Sequence, residues 1–285
     1  MSRVVYVNGE FLPEEEAKIS IFDRGFLFAD GVYEVSTILD GKMVDNPAHL
    51  ERLGRSMYEL GMTPPCSMEE IEVIQQEMLK RNPIQEGGLY LQVTRGAADR
   101  DFVYPDESTR SSLIMFTQEK PVVESALAKR GMRISFQPDI RWQRRDIKTV
   151  GLLPASMAKV AAQGEGADDA WMVEDGKVTE GTSNNAYIIT QDDVLVTKAR
   201  SNKILHGITR KAVLALAKEE GLTIEERDFT PEEAKLAKEA FVTSASTFVT
   251  GVVNIDGQQL GNGTPGPMTI RLREIYIDFA RQNLS

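Results

Sequence analysis

Hydrophobic positions alternate with polar ones over short stretches of the chain, and elsewhere they recur every three or four residues. The first pattern is typical of half-buried strands and the second of helices that bury one face. Asn8-Gly9 and Asp40-Gly41 each separate two alternating stretches, which predicts two hairpins early in the chain. The strands predicted in the first 120 residues are 3–7, 10–12, 33–39, 42–44, 89–95 and 113–117.

Two helices are predicted among these strands, over residues 46–61 and 67–78. The first starts with a capping asparagine followed by proline, and the second with capping-box spacing. Arg52 lies along the border of the first helix's apolar stripe, which is formed by Leu50, Leu53, Met57 and Leu60. A border position allows Arg52 to reach an internal polar site, although a surface position is the ordinary alternative.

The second half of the chain also mixes strands and helices. Strands are predicted at 132–137, 169–173, 177–179, 186–190, 194–197, 241–243 and 249–255, and helices at 125–129, 155–163, 208–220 and 268–281. The absence of regular βαβ alternation favours a mixed α+β fold. Because Pro121 follows a predicted strand and cannot continue a ladder, we predict a smaller N-terminal α/β domain at 1–120 and a larger C-terminal α/β domain at 121–285.

Composition and charge exclude several classes of function. The 285 residues are 41% hydrophobic and 27% charged, as in ordinary globular proteins. The net charge of −10 argues against a nucleic-acid or anionic-membrane surface, and no apolar run is long enough to predict a membrane span. One cysteine, Cys66, and two histidines predict neither an intrachain disulfide nor a metal site. The first residues lack a signal peptide's apolar core, so a cytoplasmic location is expected.

Lys148 is the strongest candidate for a reactive group. Arg141, Arg144 and Arg145 precede it, and the apolar stretch 150–153 follows it. Cationic neighbours and apolar surroundings both disfavour the ammonium form, so the sequence predicts a lysine with a lowered pKa. A fall of roughly three pKa units corresponds to about 4 kcal/mol, and the neutral amine is the form that bonds to an aldehyde. An ordinary solvated basic run is the alternative.

Three other stretches contain groups that suit a phosphorylated ring. Glu180 follows a predicted hairpin, and a glutamate facing a pyridine nitrogen would keep that nitrogen protonated. Residues 206–209 open a helix whose free N–H groups suit a phosphate, and Thr209 adds a hydroxyl. The turn 243–247 offers more donors. Each stretch alone is common in proteins, but together with Lys148 and an arginine they form the set needed to hold pyridoxal phosphate.

Eight short motifs give the sequence a family resemblance over nearly its whole length. They are Asp23-Arg24-Gly25-Phe26, Asp30-Gly31-Val32-Tyr33-Glu34-Val35, His49-Leu50-Glu51-Arg52-Leu53, Gln92-Val93-Thr94-Arg95-Gly96, Asp139-Ile140-Arg141-Trp142, Asp146-Ile147-Lys148, Thr179-Glu180-Gly181 and Gly207-Ile208-Thr209-Arg210. In this order they resemble the class IV (fold type IV) aminotransferases, which depend on pyridoxal phosphate, and most of all the D-amino acid (D-alanine) aminotransferases. The resemblance implies a homodimer with the cofactor at the junction of two domains, and an amino acid and a 2-oxo acid as substrates.

The resemblance also implies a role for each matching residue. Lys148 would bond to the cofactor and later move the α-proton, and Glu180 would pair with the pyridine nitrogen. The remaining cofactor contacts would come from Arg52, Ile208 and Thr209 at the phosphate, Leu205 on the ring face, and Ser244 or the backbone at Ala245. Tyr33 and Arg100 would match the trap for the substrate carboxylate, with Arg141 near Tyr33 and the cofactor's phenolic oxygen. Arg100 can reach the neighbouring subunit's site in such enzymes.

Two positions depart from the family pattern. The bacillary form of the enzyme has Arg-Asn-His in the carboxylate trap, whereas this chain has Arg100-Asp101-Phe102 and so lacks one hydrogen-bond donor. The family also often has threonine at the position of Ala245, which leaves backbone N–H groups, Ser244 or Ser246 for the phosphate.

These departures leave alternatives open. The loss of a donor at Phe102 keeps an (R)-amine aminotransferase in view, because such an enzyme prefers substrates without a carboxylate. A branched-chain aminotransferase and an aminodeoxychorismate lyase fit the surroundings of Tyr33 less well. A non-catalytic binding protein that kept the fold is the alternative from another class, and intact Lys148 and Glu180 argue against it.

Overall fold

The structure, a computed structural model, describes residues 2–285, which form two compact units. The first unit contains the chain up to Pro121 together with 147–151 and 283–285, and the second contains 122–146 and 152–282. The predicted domains 1–120 and 121–285 differ from this division, since the stretch around Lys148 and the last three residues belong to the first unit. That the two units are independent domains stays a prediction.

The first unit is built on a six-stranded antiparallel sheet in the order β2-β1-β6-β5-β3-β4. Its strands are β1 Val4–Val7, β2 Glu10–Pro13, β3 Gly31–Leu39, β4 Lys42–Met43, β5 Glu86–Thr94 and β6 Ser112–Glu119, and its helices are α1 Arg24–Phe28, α2 Asn46–Glu59 and α3 Met68–Arg81. Both predicted hairpins are confirmed, with Asn8 and Asp40 in the left-handed conformation that such turns require.

The two faces of this sheet have different surroundings. Val32, Val93 and Leu113 are paired across β3, β5 and β6 and lie in the hydrophobic core with α2 and α3. The next residues along the same strands, Tyr33 and Gln92, point to the opposite face because side chains alternate in a strand. That face is therefore available to the candidate site.

Close backbone packing explains why β5 starts earlier than predicted. Gly87 lies inside the strand with φ +154°, and a Cβ atom there would lie 2.1 Å from the carbonyl oxygen of Gln118. Only glycine fits such an approach, so a residue that usually ends a strand is here part of one.

The second unit contains a nine-stranded mixed sheet in the order β12-β11-β10-β13-β14-β7-β8-β9, with β15 paired to β14. The strands are β7 Met132–Pro138, β8 Asp169–Glu174, β9 Lys177–Gly181, β10 Asn185–Ile189, β11 Val194–Thr197, β12 Thr223–Glu226, β13 Glu239–Ser244, β14 Phe248–Ile255 and β15 Gln258–Gln259. The helices are α4 Ala126–Arg130, α5 Leu153–Gly164, α6 Ile208–Glu219, α7 Pro231–Lys235 and α8 Pro267–Gln282.

The periodicity did not predict four short elements: α1, α7, β12 and β15. Each has five residues or fewer, which is too short for a repeating apolar pattern, and β12 has a single apolar residue, Ile224. The longer elements agree with the prediction of a mixed α+β fold. Among residues 2–285, no helix is long and apolar enough to cross a membrane.

Candidate active site

Backbone hydrogen bonds place Lys148 against the first unit's sheet. The Tyr33 N–H donates to the Lys148 carbonyl (3.0 Å), and the Val150 N–H donates to the Gly31 carbonyl (3.0 Å). The residue before Lys148, Ile147, is 3% exposed and belongs to the core of this unit. The stretch 147–150 thus pairs with the edge of β3, which fixes the direction in which the lysine side chain leaves the backbone.

The amine of Lys148 lies on an aromatic face. Its Nζ atom is 4.2 Å from the ring centre of Tyr33. Tyr33 stacks on Tyr90 with 5.5 Å between ring centres, and Tyr90 stacks on Phe116 with 4.7 Å. Burial, together with the charge that Tyr33 can carry, raises the pKa of Tyr90, so its ring stays neutral at physiological pH. The lysine therefore stands at one end of a row of three stacked aromatic rings.

Arg52 lies in a buried ionic cluster in the same unit. Its Nε and Nη2 atoms donate to the two carboxylate oxygens of Glu34 at 2.7 and 2.8 Å, and His49 Nδ1 lies 2.8 Å from Glu34 Oε2. All three side chains are less than 10% exposed. Of the two positions that the sequence left open for Arg52, the structure shows the internal one. Its contact with a phosphate stays a prediction. No role was predicted for Glu34, because nothing in the sequence shows which carboxylate faces Arg52.

The charges in this cluster decide the protonation state of Glu34. Burial alone raises the pKa of a carboxyl, but the charge and hydrogen bonds of Arg52, helped by His49, outweigh it and lower the pKa of Glu34 to about 2. The carboxylate is thus ionised throughout the physiological range. Two parallel bonds to it hold the plane of the Arg52 guanidinium in one orientation.

Arg100 and Phe102 lie on an exposed loop of the first unit. The guanidinium carbon of Arg100 is 5.3 Å from the ring centre of Phe28 and 5.6 Å from that of Phe102, which is 80% exposed. The two rings are themselves in edge contact, with centres 5.8 Å apart. Phe102 therefore contacts Arg100 through its ring, where the bacillary pattern has a histidine that can donate a hydrogen bond.

In the second unit, Glu180 is held by several donors at the end of β9. Its oxygens accept hydrogen bonds from Arg141 Nη1 (2.7 Å), Asn185 Nδ2 (2.9 Å) and the Leu205 N–H (3.1 and 3.2 Å). Burial raises the pKa of Glu180, against the opposing effect of Arg141 and the backbone N–H. Arg141, Asn185 and the Leu205 N–H all donate to the carboxylate form. A buried carboxylate beside a pyridine nitrogen favours the protonated form of that nitrogen, because opposite charges attract strongly away from water.

Asn185 brings the predicted cofactor residues of this unit together. Its Nδ2 atom donates both to Glu180 and to the Leu205 carbonyl (2.9 Å each). In the sheet, Asn185 of β10 is paired with Thr243 of β13, the neighbour of Ser244. A Cβ atom on Gly207 would lie 2.3 Å from Asn185 Oδ1, so this glycine allows the start of α6 to approach. No role was predicted for Asn185, because an asparagine in a short polar stretch is common in loops.

Ile208, Thr209 and Ser244 are three of the groups predicted to bind a phosphate, and they follow residues that lie against or pair with this asparagine. Helix α6 begins at Ile208 after Gly207, and Thr209 is 4% exposed in its first turn. Ser244 ends β13, and its hydroxyl hydrogen-bonds to those of Ser246 (3.2 Å) and Thr247 (2.8 Å). Hydroxyl and backbone donors at a helix start are the chemistry that a phosphate monoester needs. The second unit thus fits the phosphate and ring-nitrogen ends of pyridoxal phosphate.

The arginines before Lys148 are paired with carboxylates. Arg141 donates to Asp139 as well as to Glu180, Arg144 donates to Asp146, and Arg145 donates to Glu174 (2.8 Å). The basic run is therefore not a group of unpaired cations, and the crowding expected from the sequence is offset by acidic residues that its spacing did not show. The proposed position of Arg141 near Tyr33 stays a prediction.

The Glu34 cluster predicts how the stability of the protein depends on pH. A carboxyl whose pKa falls from 4.5 to about 2 on folding stabilises the protein above pH 4.5. This contribution is lost as the pH falls from about 4.5 towards 2. Glu34→Gln should lower the free energy of unfolding at pH 7 by about 3 kcal/mol, since Arg52 is left without its anion. Urea titrations at several pH values measure both effects.

Glu51→Gln, on the exposed side of the same helix, is the matched control and should change the unfolding free energy by less than about 0.5 kcal/mol. If Glu34→Gln retained the wild-type pH dependence between 4.5 and 2, the ionic cluster would not be the source of that dependence.

Comparison with known proteins gives consistent matches. Residues 31–255 match the family model described as "Amino-transferase class IV". The chain is 39% identical to a D-alanine aminotransferase of Staphylococcus haemolyticus over 99% of both chains, and 40% identical to that of Bacillus licheniformis over 93% of both. The solved structure of a branched-chain aminotransferase from the thermophilic archaeon Thermoproteus uzoniensis with norvaline is similar with a TM-score of 0.86 and 26% identity, covering 100% of this chain and 99% of that one.

The family model covers most of the chain, and the curated relatives match it from end to end. Lys148 and Glu180, each held by contacts that its own unit provides, lie within the matched residues. The chain therefore belongs to the class IV aminotransferase family.

Proposed function

We propose that the protein is a pyridoxal-phosphate-dependent transaminase that moves the amino group of a D-amino acid, of the D-alanine type, to a 2-oxo acid such as 2-oxoglutarate. The observation that carries the proposal is the near-full-length similarity to relatives named D-alanine aminotransferase. The placement of the Lys148 amine on the ring of Tyr33 supports it, because a transaminase needs a fixed amine beside its substrate.

Within this proposal, the bound cofactor supplies an aldehyde that takes up the amine and a protonated ring that accepts the electron pair left on the α-carbon. Glu180 would hold the proton on the ring nitrogen, and Leu205 would pack on the ring face. The phosphate would be bound by Arg52, Ile208, Thr209, Ser244 and the backbone at Ala245. Of the contacts seen within each unit, those of Glu180 and Asn185 support this assignment most directly.

Lys148 has two tasks in this scheme. Its Nζ would hold the cofactor covalently in the resting enzyme, and the same amine, once free, would move the α-proton of the substrate. Both tasks require that the amine stay close to one place. The backbone pairing of 148–150 with β3 and the contact with the ring of Tyr33 provide that restraint.

The substrate carboxylate would be read by Arg100 and Tyr33, with Arg141 close to the reacting end of the site. A guanidinium is the side chain best shaped to bind a carboxylate through two parallel hydrogen bonds. Phe102 adds no donor here. Substrate binding would therefore depend on Arg100 more heavily than it does where a histidine occupies this position.

We also propose that the enzyme is a homodimer in the cytoplasm. Leu153, Met157 and Val160 lie on one face of α5 and are 71%, 53% and 66% exposed, which is typical of a surface covered by another chain. Cys66 is the only cysteine, so the chain needs no oxidising compartment for an intrachain disulfide.

The proposed stereochemistry is tested by the absorbance of the bound cofactor when single amino donors are added. We expect D-alanine to bleach the band of the resting enzyme fastest, with L-leucine and (R)-1-phenylethylamine slower by about a hundredfold or more, since neither presents a carboxylate with the D-arrangement. Bleaching by L-leucine alone would contradict the D-amino acid proposal, and bleaching by the amine alone would favour an (R)-amine aminotransferase.

A substitution tests whether Arg100 reads the carboxylate. Arg100→Ala should reduce kcat/KM for D-alanine by about a hundredfold, since a charge-assisted pair is lost, and should change the rate with (R)-1-phenylethylamine little. Single-turnover kinetics with both donors measure the two effects. Arg110→Ala, an exposed arginine farther along the same loop, is the control. Equal losses with both donors would show that Arg100 does not discriminate by the carboxylate.

A further inference from the structure

Arg24 is a buried arginine with no role in the scheme above. It is 3% exposed and is the first residue of α1. Its Nε atom donates to Asp30 Oδ2 at 2.8 Å, and its Nη1 atom donates to the backbone carbonyl of Asp101 at 2.7 Å. Its guanidinium carbon also lies 4.4 Å from the ring centre of Phe28. One side chain thus joins the start of β3 to the middle of the loop that carries Arg100.

Arg95 binds the same carboxylate oxygen of Asp30 as Arg24 does. Its Nε atom donates to Asp30 Oδ2 at 2.7 Å, and its guanidinium lies 3.7 Å from the ring centre of Tyr104. Its other nitrogens donate to the carbonyls of Leu60 and Gly61. We refer to Arg24, Asp30 and Arg95 as the arginine cluster.

The loop is attached at three points, and the cluster makes two of these attachments. At its start, Ala97 bridges to Asp23 and the Ala98 N–H donates to the Phe22 carbonyl (3.3 Å). In its middle, Arg24 holds the carbonyl of Asp101, and near its end, Tyr104 stacks on Arg95. Residues 99–104 are exposed and have few apolar contacts, so without these attachments the loop would be free to move.

The middle attachment lies one residue from Arg100. Arg24 also contacts Phe28, whose ring is one of the two against which the Arg100 guanidinium lies. A shift of the Asp101 peptide would therefore move Arg100 and Phe102 together. Carboxylate recognition by a planar guanidinium depends on orientation, because both hydrogen bonds must form at once.

We propose that Arg24 is a positioning residue for substrate binding: it holds the Asp101 peptide so that Arg100, between Phe28 and Phe102, presents its guanidinium to the substrate carboxylate. The proposal rests on the proposed function, in which Arg100 reads that carboxylate. Phe102 has no hydrogen-bond donor that could help to orient the substrate carboxylate. In this proposal the arginine cluster keeps the loop in place instead.

The test is Arg24→Lys in the enzyme loaded with pyridoxal phosphate. Lysine keeps the positive charge. Its single ammonium group cannot replace two nitrogens of a planar guanidinium, one of which donates to Asp30 and the other to Asp101. Amide hydrogen exchange in residues 97–104 should become about tenfold faster. KM for D-alanine should rise about tenfold with kcat changed less than twofold, since Arg100 is misplaced while Lys148 is untouched.

A double substitution shows whether Arg24 acts through Arg100. In an Arg100→Ala background, Arg24→Lys should raise KM for D-alanine no further, because the group that it positions is already absent. Additive effects, or a KM unchanged in Arg24→Lys, would overturn the proposal. If the wild-type enzyme did not use D-alanine at all, the proposed function would fail first, and exchange in residues 97–104 would still report whether the cluster orders the loop.

Two further variants complete the design. Arg81→Lys is the matched control, since Arg81 also pairs with a carboxylate, Glu77 (2.8 Å), and lies over a ring, Phe11 (4.3 Å), but does not contact the loop. It should leave KM and loop exchange unchanged. Tyr104→Ala removes the far attachment at a 57% exposed position, where folding is not at risk. Tyr104→Ala should raise KM for D-alanine about threefold. If both Tyr104→Ala and Arg24→Lys had the KM of the wild type, that result would contradict the role of the cluster.

Discussion

The short backbone pairing between residues 148–150 and the edge of β3 is the constraint on which the first unit's chemistry depends. Strand β3 is covered by β5 on one side, but β4 covers only its last two residues on the other. The stretch around Lys148 occupies the edge that β4 leaves open, through bonds to Gly31 and Tyr33. Because the side chains of β3 alternate, the same strand gives Tyr33 to the amine and Glu34 to Arg52 on the opposite face.

In the second unit, the buried carboxylate of Glu180 is held in place by hydrogen bonds, and Asn185 is central among their donors. Glu180, which we propose to face a ring nitrogen, is buried, and burial is unfavourable unless hydrogen bonds compensate for lost water. Asn185, Arg141 and the Leu205 N–H supply those bonds to Glu180. Since Asn185 also binds the Leu205 carbonyl and lies against Gly207, the position of Glu180 is tied to the start of α6.

Sequence patterns predicted the elements with long repeats and strong local signals. The stripe of α2, the capping box of Ser67 and Glu70, and the turn at Asn8-Gly9 are all present, because each depends on residues that are neighbours in the chain. The motifs around Lys148 and Glu180 likewise indicated the family, because each motif is a short run of consecutive residues. Helix α1 was missed because its five residues are held by Asp23, which also accepts bonds from Thr94 and Ser112 far along the chain. Electrostatic partners could not be predicted in the same way. The sequence left both an internal and a surface position open for Arg52, and its partner Glu34 is on another element. The run 141–145 likewise suggests a cluster of cations, but the structure pairs it with carboxylates, some of them on distant strands.

The central claim is that the amine of Lys148 carries the cofactor. Borohydride reduction of the enzyme loaded with pyridoxal phosphate, followed by proteolysis and mass spectrometry, tests it most directly. The account predicts a phosphopyridoxyl group on the peptide containing Lys148 and on no other lysine. A label on a different lysine, or no label on any peptide, would contradict it.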